Sequence, residues 1–493
     1  MTPGTPCAVP LVVGVTGGHH QSAEIRETVR AAFERILGEL RAAYPHTPLL
    51  VLSTETPEGD DPTLEAARAQ QISIAQERTL ARVSHFSDIL VVFSDPASPA
   101  DRAEASAVVA LRETGRSAEH RRLLEPPEVA TTYHVAVRGD GATEVPLEVR
   151  RIYPHRFKDD RRSAADFDAA LTRLDRFNAD IAPIEVPAAG LLPSERLFTA
   201  VDTAANSLQR RLFFWQRALY TIAFVAAATQ IAGGNIGPWG SYLKVIAVAL
   251  TLLAYLVVRR SDYQNRYQDY RALGEGLRVQ SAWTHAGVAD SVDTSYLRMQ
   301  QTELLWIRSA LRTVGFLQSA GQDGTRNITA VRVWVEEQRR YFQNASAVQN
   351  RRKVRFGRIV NILAPLNLGA GLLLLAGLSL PPSWYGGWLS SIEFHRDAVK
   401  YAAGVFAGLA ALVIAIVTSY MRTRAFSENA NRYQRMFLIF DEAHRLLAES
   451  PEPDPAAQRE LARELGREAL AEHAEWLLSQ RERPVSVVYT SAA

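Results

Sequence analysis

RRKVRFGRIVNILAPLNLGAGLLLLAGLSL, residues 351–380, decides how this chain is read. Arg351, Arg352, Lys353, Arg355 and Arg358 lead into an apolar run from Ile359 to Leu380. A loop containing Pro381, Pro382, Trp384, Gly386, Gly387 and Trp388 follows. A second run, Tyr401 to Tyr420, then exits into Arg422 and Arg424. Each run is roughly 20 residues, the length at which an α-helix crosses about 30 Å of hydrocarbon. Cations crowd the outer flanks, whereas the segment between the runs holds Arg396 and Lys400 beside Glu393 and Asp397. That asymmetry predicts a transmembrane hairpin, spans 359–380 and 401–420, with both outer flanks cytoplasmic. Trp384, Tyr385 and Trp388 are then expected at the far interface, where amphipathic rings settle.

Working outward, an earlier segment repeats the design. Arg210, Arg211 and Arg217 lead into Ala218 to Ile231, and after Gly233 to Gly240 a second run, Tyr242 to Val258, stops at Arg259-Arg260. These runs, spans 218–233 and 242–258, are only about 14 to 17 residues, so a buried soluble hairpin competes with a membrane hairpin. Lys244 is the sole cation between Arg217 and Arg259. This repeats the later asymmetry in the same sense and favours the membrane. Asn265-Arg266-Tyr267-Gln268 follows the first pair and Asn431-Arg432-Tyr433-Gln434 the second. Identical residues at matching places suggest an internal duplication.

Polar residues inside the spans are Thr221, Thr229, Gln230, Asn361 and Asn367, with Pro365 between the asparagines. Such groups face another helix or an aqueous path. The second hairpin has no Asp, Glu, Lys or Arg in mid-span. This argues against a proton-coupled pump and fits either a weakly selective pore or a plain anchor.

A chain of 493 residues exceeds one core. Mean hydropathy is −0.09, so most of the mass lies outside the bilayer. A single cysteine, Cys7, excludes an intrachain disulfide framework and a cysteine-rich zinc site. Met1 to Pro10 lacks the basic start and apolar core of a signal peptide, so cytoplasmic termini are expected. With 55 basic against 53 acidic residues there is no nucleic-acid footprint. The basic clusters lie beside apolar runs, where anionic headgroups account for them.

The N-terminal third alternates apolar strands with amphipathic helices. Pro10 to Val15, Pro48 to Leu52 and Ile89 to Phe93 read as strands. Ser22 to Tyr44, a segment from Pro62, Ile74 to Phe86 and Pro99 to Thr114 read as helices. Thr131 to Val137 and Leu147 to Tyr153 complete a parallel-sheet α/β domain. Ligands of such sheets bind beyond the carboxyl ends of the strands. Those ends carry Gly14, Thr16, Gly17, Gly18 and His19, then Glu58 and Gly59 with Asp60 and Asp61, then Ser94 and Asp95. The glycines admit a phosphate to backbone N–H groups or form an ordinary strand-to-helix turn. The carboxylates bind ribose hydroxyls or a base edge, or form a solvated loop with a helix cap. His19 and His20 have no third partner at zinc-like spacing, so no metal is expected.

Residues 159–193 read as a linker, with one amphipathic helix (Phe167, Leu171, Leu174, Phe177) and a proline-rich end. Asp262 to Ala286, Tyr296 to Leu317 and Val331 to Asn350 read as cytoplasmic helices whose aromatic stripes serve helix–helix packing. Asp454 to Arg483 is a charged amphipathic helix assigned to the same bundle. The expected domains are 1–158, then 194–320 with the first hairpin, then 321–493 with the second.

Two sets of residues carry a family resemblance. Val13-Gly14-Val15-Thr16-Gly17, Pro57-Glu58-Gly59-Asp60 and Asp88-Ile89-Leu90-Val91-Val92 resemble the nucleotide-binding, Rossmann-like SLOG superfamily. Tyr270-Arg271-Ala272-Leu273, Glu275-Gly276-Leu277-Arg278-Val279-Gln280, Trp306-Ile307-Arg308 and Glu472-His473-Ala474-Glu475-Trp476-Leu477 resemble the SLATT membrane effector domain. The resemblance implies a nucleotide sensor fused to a membrane effector of bacterial conflict and antiviral systems. Gly17-Gly18-His19 stands where SLOG members usually carry Gly-His-Arg, and Asp61-Pro62 where an Arg is usual. The strand expected between Glu58 and Ile74 is not evident, and the Pro-Gly-Gly-x-Gly-Thr motif of the phosphoribohydrolase branch is absent, which speaks against glycosidic cleavage.

The expectation is therefore a multi-pass inner-membrane protein. It would answer a nucleotide second messenger or NAD-derived ligand, and it would have no resident cofactor and no enzymatic step. Four short helices enclose little aqueous space, so a pore requires a homo-oligomer. The alternatives are a membrane-tethered nucleotide-processing enzyme using Glu58, Asp60 or Asp95, and a membrane scaffold with a vestigial sensor.

Overall fold

Leu11–Thr16 (LVVGVT, β1) is buried along its whole length, the mark of a strand covered on both faces. The computed structural model describes residues 7–17, 23–54, 61–95, 98–114, 130–137, 148–152, 160–187, 190–232, 237–297, 304–319, 327–379, 393–449 and 454–481. Around β1 stand β2 (Leu49–Thr54), β3 (Ser73–Glu77), β4 (Ile89–Ser94), β5 (Thr131–Ala136) and β6 (Glu148–Ile152), in the order β3-β2-β1-β4-β5-β6. Pairings are parallel up to β5, and β6 closes the edge antiparallel. The intervening helices are α1 (Ala23–Ala43), α2 (Pro62–Ala69), α3 (Leu80–Phe86) and α4 (Pro99–Thr114).

One element corrects the sequence reading. Ile74 to Phe86 is not a single helix: Ser73–Glu77 is the edge strand β3, and Thr79 caps a separate α3 by accepting from Arg82 N. The strand missing from the sequence reading is thus present. With no buried residue, with Ala75 at its centre and with polar Ser73, Gln76 and Glu77, it carries a weak strand signal.

The later helices are α5 (Asp160–Ile181), α6 (Pro193–Ala232), α7 (Gly237–Ser261), α8 (Tyr263–Ala286), α9 (Val292–Ser295), α10 (Leu305–Ser319), α11 (Ile328–Ser379), α12 (Glu393–Arg424), α13 (Phe426–Glu449) and α14 (Pro455–Arg481). Here too the expected helix from Tyr296 is shorter. α9 ends at Ser295, Tyr296 is extended, Leu297 takes φ +52°, and α10 begins at Leu305. Two compact units result: residues 1–205, 268–331 and 454–477, and residues 206–267, 332–453 and 478–493.

The first unit contains more than the sheet. α5, in the segment read as a linker, buries Phe167, Leu174, Phe177 and Ile181. Its Asn178 accepts from Val9 N at 2.9 Å and donates to Val9 O at 3.0 Å, pinning the entry to β1. α10 reaches the sheet core, where Phe316 joins Val12, Leu50, Leu52, Val83, Leu90 and Val92 in one buried cluster. Beside it the Asp88 carboxylate accepts from Val12 N at 3.0 Å, from Ser309 Oγ, and from Arg312 Nη2 at 3.2 Å. Trp306 of the same helix lies against Phe177, with ring centroids 5.2 Å apart.

α14 packs onto α8 through Gly466. Trp283, 1% exposed, donates from Nε1 to Ala462 O at 2.9 Å. A Cβ on Gly466 would lie 2.2 Å from that nitrogen and 2.8 Å from Val279 Cγ1. Gly466→Ala is therefore expected to destabilise this unit by about 1–3 kcal/mol through overpacking. A lowered denaturant midpoint with an altered Trp fluorescence maximum checks this; an unchanged midpoint contradicts it.

In the second unit, α11 runs unbroken through Pro365 for 52 residues, about 78 Å, far beyond a bilayer's thickness. Its first half packs on α13, with Phe342 and Phe440 stacked at 5.5 Å and Trp334 edge-on to Phe440 at 5.6 Å. The two halves of the helical region match in outline. Each pairs a long helix with a second apolar helix that ends at a left-handed residue, Asp262 (φ +52°) or Ala425 (φ +48°). Each then continues into a 24-residue helix, α8 or α13.

Candidate functional site

Strand order reverses between β1 and β4, because the chain runs outward through β2 and β3 and returns through α3. Ligands of open α/β sheets bind in the crevice at such a point, beyond the carboxyl ends. Thr16 ends β1 and is buried. Gly17 follows with φ +87°, and a Cβ there would meet Phe93 O at 2.1 Å, so β1 and β4 approach too closely for any side chain. Ser94 ends β4, and half-buried Asp95 follows, its backbone oxygen accepting from Ser98 N at 3.1 Å. Gly14 lies deeper within β1, where a Cβ would come within 2.0 Å of Ser87 Oγ.

Thr16, Gly17 and Asp95 are thus gathered at one rim. Gly18, His19, Glu58 and Gly59, with Asp60 and His20, lie outside the described residues. Asp61 caps α2, its Oδ1 accepting from Thr63 N at 2.9 Å and Thr63 Oγ1 at 2.6 Å.

Sequence reasoning placed Ser94 at this rim but missed its partner His134 and the Glu77–Arg82 pair. Ser94 Oγ lies 2.8 Å from His134 Nε2 of β5. At the end of β3, Glu77 accepts from Arg82 Nε at 2.7 Å and Nη2 at 2.9 Å. These hydrogen bonds hold the Glu77 carboxyl below its ordinary pKa against the opposing effect of burial. β5 reads Thr131-Thr132-Tyr133-His134-Val135-Ala136, and nothing in that run singles out His134 as a partner for Ser94. The rim offers hydroxyl, imidazole and carboxylate groups suited to a polar, hydroxyl-rich ligand. Among the described residues no cluster of three or more His, Cys, Asp or Glu could hold a metal ion.

The second candidate region is the apolar helices. Among the described residues, three helices are long and apolar enough to cross a membrane: Pro193–Ile231, Tyr242–Ala286 and Lys400–Glu449. The apolar stretch from Ile359 lies on α11, whose side chains are described only in part beyond Leu372. Val245 (70% exposed), Val248, Leu250, Leu252 and Leu253 project outward from α7, while the buried positions include Ala247 and Ala254. Ile362, Leu366, Leu368 and Leu372 are likewise exposed on α11. A helix clothed in exposed aliphatic side chains is matched to lipid.

Small residues mediate helix contacts here, as expected without a hydrophobic driving force. A Cβ on Gly408 of α12 would meet Ile231 Cγ2 of α6 at 2.9 Å. Tyr220 OH lies 3.1 Å from Thr423 Oγ1, and the Arg424 guanidinium sits 3.6 Å above the Phe213 ring. Of the polar residues in these runs, Gln230 and Asn361 are exposed. Asn367 is half-buried, with its Oδ1 sequestered and lacking a hydrogen-bond partner. Thr229 satisfies its hydroxyl on Ala226 O at 2.8 Å.

Residues 195–340 match the SLATT_3 family model, the SMODS and SLOG-associating 2TM effector domain 3. The match covers nearly all of α6, all of α7 to α10 and the start of α11, and implies a two-transmembrane effector of conflict systems. The sheet and the apolar stretches of α11 and α12 lie outside the matched residues. No curated protein and no solved structure matches the chain.

Proposed function

We propose that this chain is an inner-membrane effector opened by a nucleotide-derived signal. A ligand bound at the rim formed by Thr16, Gly17, Ser94, Asp95 and His134 would shift the protein toward a pore-forming or membrane-perturbing state. Two hairpins, spanning about 218–233 with 242–258 and about 359–380 with 401–420, would line or disturb the bilayer in a homo-oligomer, with both termini cytoplasmic. The reading assigns no catalytic step and no resident cofactor.

One observation carries it. α10 lies within the segment matching a 2TM effector domain, yet its Phe316 is part of the sheet's own core, and its Arg312 and Ser309 meet the Asp88 carboxylate. A rearrangement of β1 or β4 on ligand binding would therefore act directly on an effector helix. The ligand can shift that equilibrium only by its difference in affinity for the two states.

Dye release from liposomes containing the purified chain tests the proposal, across linear, cyclic and ADP-ribose-type nucleotides. Release with one ligand class, lost in Asp95→Asn and His134→Gln without loss of insertion, is expected. Silence with every ligand, despite confirmed insertion, contradicts it.

A further inference from the structure

At the basic flank of the second hairpin, α11, α12 and the start of α13 line an open cavity of about 560 Å³. This lies within the size range of small-ligand sites. On α11 its wall is formed by Lys353, Gly357 and Asn361, spaced four residues apart and so on one helix face. From Lys353 to Asn361 the wall descends about 12 Å along the helix axis. Thr418 and Arg422 face it from α12, again at a four-residue spacing. The cavity therefore has cations at one level and neutral polar groups, Asn361 and Thr418, nearer the apolar runs.

Three further features specify an occupant. Neither Lys353 nor Arg422 makes an ion pair among the described residues, and Glu428 is the acidic lining residue, leaving one net positive charge. Ala425, at φ +48°, breaks α12 from α13, and Asn429 N donates to Ala425 O at 2.9 Å as α13 begins. Phe426, Ser427 and Glu428, the first turn of α13, line the cavity, and the N-terminal end of a helix favours an anion. Val360, Met421 and Phe426 make the remaining wall apolar, and Ile362 and Leu366 stand exposed immediately further along α11.

We propose that this cavity binds the phosphate headgroup of an anionic phospholipid. Lys353 and Arg422 would contact the phosphate, Asn361 and Thr418 the glycerol oxygens, and the acyl chains would run along the exposed aliphatic surface of α11. A free phosphate shares the headgroup chemistry but gains nothing from the apolar wall, so the lipid is the better fit. General attraction of a basic flank to an anionic surface needs no cavity; this site selects two cations from a flank that holds several. The inference rests on the membrane reading of α11 and α12.

The test measures the thermal unfolding midpoint of the detergent-solubilised full chain against increasing phosphatidylglycerol. Phosphatidylcholine and glycerol 1-phosphate serve as separate arms. Phosphatidylglycerol is expected to raise Tm in a saturable manner, with the other two inert. Lys353→Ala/Arg422→Ala is expected to weaken the response about tenfold or more. Gly357→Leu should do the same by filling the cavity, since a Cβ at Gly357 meets nothing within 4 Å and the helix keeps its backbone. Arg351→Ala/Arg355→Ala, which removes equal charge beside the site, should retain the response.

Equal loss in both double variants, or no Tm response to phosphatidylglycerol, overturns the site. So does a response to glycerol 1-phosphate equal to that of the lipid, which would indicate a soluble anion. Flotation of the same protein with pure phosphatidylcholine vesicles separates the two claims. Flotation without a phosphatidylglycerol response removes the lipid site alone, and failure to float removes the membrane reading with it.

Discussion

Asp88→Ala is expected to destabilise the α/β unit by about 3–5 kcal/mol, the cost of removing one partner from a buried ion pair. Asp88 is 3% exposed and Arg312 6% exposed, so the arginine left behind cannot turn to water without moving α10. The same carboxylate also accepts from Val12 N and Ser309 Oγ, and both donors lose their partner. Chemical denaturation followed by far-UV circular dichroism measures the loss. Asp88→Leu/Arg312→Met, which removes both charges, should recover much of it, because an apolar pair of similar volume avoids the desolvation of two ions. A single-variant loss below about 1 kcal/mol would show that α10 is not held to the sheet in this way.

The second large effect is expected at Gly17. Its φ of +87° costs a side-chain-bearing residue about 1–3 kcal/mol. The added Cβ would also stand 2.1 Å from Phe93 O, a backbone atom of the neighbouring strand that no rotamer change can move. Gly17→Ala should therefore lower Tm more than any conservative change elsewhere on the rim, and Gly17→Asp more still. A Tm within about 2 °C of the parent would contradict the close approach of β1 and β4. Because Gly17→Asp disturbs the sheet itself, loss of a ligand response in that variant would not separate binding from folding. Asp95→Asn and His134→Gln keep side-chain size and backbone geometry, and so probe the rim more cleanly.

How much was legible in the sequence depended on whether the signal was local. β1, β2 and β4 stood out as short apolar runs because both faces of each are covered. β3 did not, because an edge strand reading Ser73-Ile74-Ala75-Gln76-Glu77 has a period that merges with the helix of Leu80, Val83 and Phe86 beyond it. The apolar helices were readable from run length and flanking cations, which depend on neighbours in sequence alone. The docking of Phe316 into the sheet core was not, since an amphipathic stripe says that a helix face is buried but not against what. Ser94 and His134 are 40 residues apart, and only the alignment of β4 with β5 brings them together. In the sequence Gly17 reads as a phosphate-admitting or ordinary turn glycine; the structure supplies a packing reason for it that no sequence pattern contains.

The duplicated tetrapeptide shows the same limit. Tyr267 receives a hydrogen bond from Gln209 Nε2 at 2.7 Å, whereas Tyr433 lies against the rings of Tyr341 and Phe342. Similar letters at similar places after a span thus enter different surroundings, while the left-handed break and 24-residue helix recur in both halves.

The most direct test of the central claim is alkaline carbonate extraction of membranes from cells expressing the full chain. A protein whose α6, α7, α11 and α12 cross the bilayer remains in the membrane pellet and floats with lipid on a density gradient. Recovery of the intact chain in the alkaline supernatant would mean that Val245, Leu250, Leu253, Ile362 and Leu366 are covered by protein rather than by lipid, and would contradict the account.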